Sequence, residues 1–184
     1  MAALLNADSV SVIDTATVPA VTRMLLASDG STTVLLEALV RVSLAAVVDS
    51  QHTIRRSAVP VRLQSFFAAE GKTEIVERRS RLVTPQKEVV SSNLVLIPSW
   101  NSDKLLPPVG CPLGRHLARH ALVRRRESLD QTIGSWPLDG EQQACLSKEY
   151  FIHCRSGALI YVSELFNPRI VPVELIERRP RSGQ

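Results

Sequence analysis

The segment from Thr73 to Pro98 constrains this chain most. TEIVERRSRLV alternates between apolar and charged residues, TPQK at Thr84 to Lys87 has turn composition, and EVVSSNLVLIP returns as a second β-rich run. The pattern predicts an antiparallel hairpin. Successive side chains on a strand point to opposite faces, so Arg79 and Arg81 share one face while Arg78 takes the other. One of those faces must look toward a core or a cavity. An arginine in such a place needs an anionic partner, because a buried unpaired charge is costly. A carboxylate on another strand and the carboxylate of a ligand both meet that need.

A second hairpin is expected from ACLSKEYFIHC and ALIYVSELF, joined across Arg155, Ser156 and Gly157. Glu164 interrupts its otherwise apolar second strand. A structural ion pair is one explanation. A buried glutamate near an arginine is also how a site sets a general acid or base.

The remaining elements are read around these hairpins. A first helix is expected after Thr17 as cap, with Pro19 in its first turn and Val21, Met24 and Leu25 as its apolar stripe. It should end near Asp29-Gly30, with the glycine as a left-handed cap. Ser31 opens a second helix, STTVLLEALV. Val42 to Val48 reads as a strand, residues 52 to 70 give no clear pattern, and Pro112 precedes a short helix in LGRHLARHAL. ALVRRRESLDQTI reads as a strand and WPLDGEQQ as a loop. Two early helices followed by hairpins predict an α+β fold with a mostly antiparallel sheet of about six strands, capped by helices that enclose a ligand cavity. Residues 1–16 read as a loose leader, 17–176 as one domain, and 177–184 as a basic flexible tail.

Composition excludes several classes. At 184 residues and 45% apolar content the chain can hold one domain with its own core. The net charge is +4 and part of it lies in the tail, so a dedicated nucleic-acid binder is not expected. No apolar run is long enough to span a membrane, and the N-terminus lacks the pattern of a secretory signal. The three cysteines match no disulfide framework, which suggests a reducing, cytoplasmic setting. Eighteen of the 22 basic residues are arginine, the better fork for carboxylates.

No nucleotide-binding fingerprint and no nucleophile elbow occur. His116 and His120 have a zinc-like spacing, yet Leu117, Ala118 and Arg119 between them lack the metalloprotease glutamate. Cys145 and Cys154 read as small core residues, Phe66, Phe67 and Trp100 as core aromatics, and Arg124 to Arg126 as a charged sheet edge. No metal and no organic cofactor are expected.

Four segments, in order, resemble the chorismate pyruvate-lyase (4-hydroxybenzoate synthase) family. MLLASDGSTTVLLEAL resembles its helix–loop–helix opening, ERRSRLV its substrate-arginine strand, CPLGRHL its Pro-Leu-Gly helix start, and YVSELFNP its acid-bearing strand. Together they span roughly residues 20 to 172. The resemblance implies a six-stranded antiparallel sheet with helices over a closed cavity. It implies a cofactor-independent carbon–oxygen lyase that eliminates pyruvate from chorismate to give 4-hydroxybenzoate. Carried over by position, the carboxylate-binding arginine is Arg79 and the acid that meets the ring hydroxyl is Glu164, the two catalytic candidates. The main-chain contact is Leu113, and the pocket residue on the second helix is Thr32, where the family has Met or Leu. Arg81, on the same face as Arg79, is a candidate for the second carboxylate of chorismate or for pairing with a structural acid.

The rival expectation is a non-catalytic small-acid-binding domain, because the same fold resembles the effector-sensing domains of bacterial transcription regulators. Those carry a winged helix in front, and the roughly 16 residues before the first expected helix are too few for one.

Overall fold

In the computed structural model, residues 18–68 and 73–173 are described. Six strands form one sheet: β1 (Ala45–Arg55), β2 (Glu74–Val83), β3 (Val89–Pro98), β4 (Val123–Leu138), β5 (Glu141–Cys154) and β6 (Leu159–Phe166). Their order is β1-β2-β3-β6-β5-β4 and every pairing is antiparallel. Helices α1 (Ala20–Ala27), α2 (Thr32–Val40), α4 (Ser102–Leu105) and α5 (Leu113–Arg119) carry buried residues into the clusters on one sheet face. The short helix α3 (Val61–Gln64) and the turns around it lie on the other face. The expected α+β architecture, with an antiparallel sheet capped by helices, is the one observed.

Register decides what the helix-covered face contains. Antiparallel partners share a face, so each rung can be followed across the sheet. One rung runs Val48, Ser80, Asn93, Glu164, Lys148, Gln131. The next runs Gln51, Arg78, Val95, Val162, Tyr150, Ser128. One apolar cluster lies on the far side of the first rung, and the second cluster takes in Val95, Val162 and Tyr150 of the second rung. Leu25, Leu26 and Leu36 of α1 and α2 join Ala46, Leu82, Leu146 and Phe166 in one. Leu105 and Leu117 of α4 and α5 join Val76, Ile97, Ile152 and Ile160 in the other. The helix pairs therefore each bury their own apolar stripe, and the polar rungs lie under the seam between them. On the opposite face a third cluster packs Val59, Leu63 and Phe67 against Ile75, Leu96, Phe151 and Tyr161.

The seam is held from both helices. Arg115 of α5 forms an ion pair with Glu37 of α2, and the same Glu37 carboxylate accepts the Leu44 amide at 2.8 Å. Gly114 allows the close approach: a Cβ there would stand 2.8 Å from Ser31 Oγ and 3.1 Å from Thr33 Oγ1.

Several local expectations are corrected. Met24 is 70% exposed, and Thr22, Leu25 and Leu26 form the buried stripe instead. Helix α1 ends at Ser28 in extended backbone and Gly30 is not left-handed. Ser28 Oγ accepts the Gly30 amide at 3.0 Å, and a lysine closes the helix end, as described below. The first strand begins at Ala45, because α2 runs to Val40 and Arg41 turns the chain in a left-handed conformation. WPLDGEQQ is the tip of the β4–β5 hairpin, with Asp139 and Gly140 both at positive φ as a tight two-residue turn requires. Pro137 is tolerated there because β4 is an edge strand. Phe67 is buried, but Phe66 and Trp100 are 47% and 44% exposed. The leader, the tail and the Thr17 cap lie outside the described residues.

Gly114→Ala should lower stability by about 1–2 kcal/mol. Overpacking costs of about 1–3 kcal/mol exceed the propensity gained by removing a glycine at a helix start, about 1 kcal/mol at most. Thermal melting checks this, and an unchanged or raised midpoint would mean the seam yields.

Candidate functional site

The polar rungs bring three ionisable side chains to the covered face: Arg78, Lys148 and Glu164, at 4%, 3% and 5% exposure. Each meets a different environment.

Lys148 is compensated by backbone. Its ammonium donates to the carbonyl of Leu25 at 3.0 Å and of Ser28 at 2.6 Å. Helix ends leave carbonyls without intrahelical partners, and a cation is favourable there. Lys148 is thus the cap that α1 lacks within its own segment. Burial lowers its pKa, while the nearby Glu164 carboxylate raises it.

Glu164 is compensated least. Its Oε2 is buried with no hydrogen-bond partner among the described residues. Burial pushes its carboxyl up to about 7, against the opposing influence of Thr32, Lys148, Tyr150 and Arg126. Burial also raises the Tyr150 phenol well above its usual range, with the Glu164 charge adding to the effect.

Arg78 has a neutral partner. Its guanidinium donates to Gln51 Oε1 at 3.2 Å, and no carboxylate among the described residues lies within ion-pair distance. Burial lowers its pKa. Beside it, Asn93 Oδ1 accepts the Ser91 hydroxyl at 3.1 Å, and both are buried.

The register corrects the expectation for β2. Arg79 and Arg81 are on the face opposite Glu164, away from the helices. Arg79 Nε pairs with Glu77 at 2.9 Å, two residues along the same face. Arg81 forks onto Asp49 of β1, with bonds of 2.6 to 3.1 Å. Arg78 is the arginine on the face of Glu164. Thr32 is the first residue of α2, is 5% exposed and lines a cleft of about 70 Å³ at the end of α1. Arg126, Ser128, Lys148 and Tyr150 also line it. Leu113 is the first residue of α5 and packs on the Val76–Ile152 cluster.

Other singled-out residues take ordinary places. The rings of His116 and His120 are 4.8 Å apart, and His116 Nε2 faces the Lys104 carbonyl at 3.1 Å. Among the described residues no group of three His, Cys, Asp or Glu is arranged to hold a metal ion. Cys145 and Cys154 are buried and free, with their thiols pushed up to about 12 and 11 by burial. No helix among the described residues is long and apolar enough to cross a membrane.

Arg78, Lys148 and Tyr150 were not singled out from the sequence, yet a signal for them exists. Leu146, Lys148, Tyr150 and Ile152 share one face of β5, so a lysine interrupts a core face as Glu164 does on β6.

No family model matches the sequence, and no curated protein matches it. Solved structures match the fold. The effector domain of PhnF from Mycobacterium smegmatis aligns with a TM-score of 0.55 at 12% identity, over 77% of this chain and 91% of that one. The ligand-binding domain of a putative GntR-family regulator from Bordetella bronchiseptica aligns with 0.52 at 14% identity, over 68% and 84%. The possible transcriptional regulator YydK from Bacillus subtilis aligns with 0.52 at 8% identity, over 72% of this chain and 60% of that one. The chain therefore spans about three fifths of YydK. Its six-stranded antiparallel α+β fold is the fold of the PhnF effector domain and of the Bordetella ligand-binding domain.

Glu164→Gln should change the pH dependence of stability in a defined direction. The folded carboxyl holds its proton up to about 7, while the unfolded one releases it near 4.5. Unfolding is therefore favoured progressively as pH rises between those values, and the penalty is complete above about 7. The amide removes that penalty, on the order of 1–3 kcal/mol after loss of the attraction to Lys148. Melting curves at pH 5 and pH 8 should coincide more closely for Glu164→Gln than for the parent, with the variant a few degrees higher at pH 8. A variant that melts lower at pH 8 would mean that Glu164 is a structural ion-pair partner.

Proposed function

We propose that this chain binds a small organic carboxylic acid on the polar rungs beneath the α2–α5 seam, with Arg78 holding the carboxylate. The observation that carries this reading is Arg78 itself, a guanidinium 4% exposed that hydrogen-bonds a neutral amide, lies near the Cys111 thiol and has no carboxylate within ion-pair distance among the described residues. A buried cation without an anion costs several kcal/mol, on the order of 3–5 when a partner is removed, so the position favours an anionic occupant. The planar fork suits a carboxylate bidentately. Glu164, on the adjacent rung, carries an oxygen with no partner and is close to half protonated at neutral pH. It can donate to, or accept from, a hydroxyl at the far end of the ligand. Leu113 and Thr32, at the first turns of α5 and α2, complete the contact set that the sequence resemblance implies. The shared fold with effector domains supports ligand binding of this kind, and both readings imply a cytoplasmic setting.

A second reading is chorismate pyruvate-lyase, and Glu164 is the observation that favours it. Loss of the C4 proton and of the enolpyruvyl ether makes the ring aromatic, so the protein has to position and desolvate the substrate and move one proton. A buried carboxyl near 7 is matched to that transfer at working pH. Arg78 then takes the anchoring role first assigned to Arg79. No metal and no cofactor enter this reading.

Calorimetric titration with 4-hydroxybenzoate tests the binding reading. Arg78→Ala should weaken affinity by about 3 kcal/mol, on the order of 150-fold, whereas Arg79→Ala should stay within about threefold. Without ligand, Arg78→Ala should melt at or above the parent, since it removes an uncompensated charge. A larger loss for Arg79→Ala, or no binding by the parent, overturns the reading. Pyruvate release from chorismate in the presence of a chelator tests the lyase. Glu164→Gln should then lower turnover by about 10²–10⁴-fold while retaining product affinity. Binding without pyruvate release leaves the first reading alone.

A further inference from the structure

We propose that the outer edge of β1 takes a second copy of this chain, with the two β1 strands pairing antiparallel about a two-fold axis so that the sheets join into one. Among the described residues this edge meets only Gly110, which bridges Ala46. From Val47 to Arg55 all residues are exposed except Ser50 and Ile54, which are half-buried. An open strand edge offers unpaired amides and carbonyls to another chain, and charges, prolines and bulges are the usual means of blunting it. Strand β4, at the other edge of the sheet, has all three: the Arg124 to Arg126 run, Pro137, and register shifts at Val123/Arg125 and Ser128/Asp130. Strand β1 has no proline, no run of like charge, and one register shift, between Val48 and Ser50. Ser50 to Arg55 is thus a regular, open template.

Hydrogen-bond directions fix which groups the edge offers. The Arg56 amide donates to the Thr73 carbonyl at 2.6 Å, continuing the β1–β2 ladder. Amide directions alternate along a strand, so Ile54, His52 and Ser50 point at β2, whereas Arg55, Thr53 and Gln51 point outward. In an antiparallel pair, residues directly opposite share a sheet face, and outward amides must meet outward amides. Centring the pair on His52 satisfies both conditions. Gln51 of one copy then stands opposite Thr53 of the other, and each such pair exchanges two backbone hydrogen bonds.

The ends of the edge favour a second copy over a different strand. Centring on His52 sets the Asp49 end of each copy level with the Arg55 end of the other, so unlike charges meet at both ends. Apolar side chains are exposed at both ends as well. Val47, Val48 and Val109 flank the Ala46–Gly110 bridge, and Val61 follows the turn after Arg55. A two-fold axis makes the contact reciprocal, so each copy's Val48 end lies beside the other's Val61 end and apolar surface leaves water twice.

Sedimentation of the full chain over a range of concentrations tests this, together with cysteine cross-linking. The edge is a small interface, so the dimer should form with a dissociation constant on the order of 10 μM. Thr53→Pro removes an outward donor without touching the bonds to β2, and should raise that constant by about tenfold or more. His52→Cys sets two thiols opposite each other, with Cα atoms about 4.5 Å apart, and should give a disulfide-linked dimer under mild oxidation. Ser50→Cys, on the same face, sets them about 13 Å apart and should not exceed the background. The parent gives that background, since Cys145 and Cys154 are buried and Cys111 is half-buried. If Thr53→Pro does not fold, the two cysteine variants decide. A parent that stays monomeric at every concentration overturns the proposal, whether another segment of the chain covers the edge or nothing does. Dimers that survive Thr53→Pro, or that cross-link equally through Ser50→Cys, also overturn it, because they form elsewhere or in another register.

Discussion

The helix-covered face of the sheet buries three charged side chains between two apolar clusters, and the arrangement of the molecule follows from how each is compensated. Lys148 is the clearest case. Burying an ammonium is expensive unless its donors are used, and here they close the end of α1. That contact sets the height of α1 above β5. It also explains why α1 can stop in extended backbone with no glycine cap: the carbonyls a cap would serve are already occupied. The same contact places the α1–α2 loop beside Tyr150, so a structural cation shapes one wall of the cleft.

The seam between the helix pairs follows from the same polar rungs. A helix lying across Ser80, Asn93 and Glu164 would have to bury its apolar stripe against polar atoms. The chain instead splits its cover into α1–α2 over one apolar cluster and α4–α5 over the other. The junction then has to be narrow enough to exclude bulk water. Gly114, the Ser31 and Thr33 hydroxyls and the Glu37–Arg115 pair accomplish this. The Pro-Leu-Gly run is thus a packing requirement as well as a sequence signature, since any side chain at Gly114 would press on the start of α2.

The sequence carried the architecture because its strong signals are local. The hairpins from Thr73 to Pro98 and from Ala144 to Phe166 have regular alternation and clear turns, and both are observed with near-expected limits. The weak points were positions where a long-range partner decides. Gly30 reads as a helix cap until Lys148, more than a hundred residues away, takes that task. On β2 the parity was legible but read from the wrong side. Ile75, Glu77, Arg79, Arg81 and Val83 carry three charges, whereas Val76, Arg78, Ser80 and Leu82 carry one. The face with the single charge is the one that α1, α2, α4 and α5 cover, and a lone charge there is the informative one. The cluster of arginines drew attention to the face where Glu77 and Asp49 already satisfy them. The partial burial of Arg126 was not legible at all, because it depends on where the α1–α2 loop lies.

The two functional readings differ in what they ask of Glu164, and Thr32 bears on that difference. A sensor needs only a neutral or charged carboxyl that recognises a hydroxyl. A lyase needs a carboxyl that changes state near working pH. Burial drives Glu164 upward, and a hydroxyl able to hydrogen-bond its ionised form acts in the opposite direction. Thr32 is such a hydroxyl, at a position where the resembling family places an apolar Met or Leu. With an apolar side chain the carboxyl would sit higher, and would be more uniformly protonated at neutral pH. Threonine brings it closer to the point where both protonation states are populated. Thr32 thereby acts against the effect of burial and leaves Glu164 able to exchange a proton.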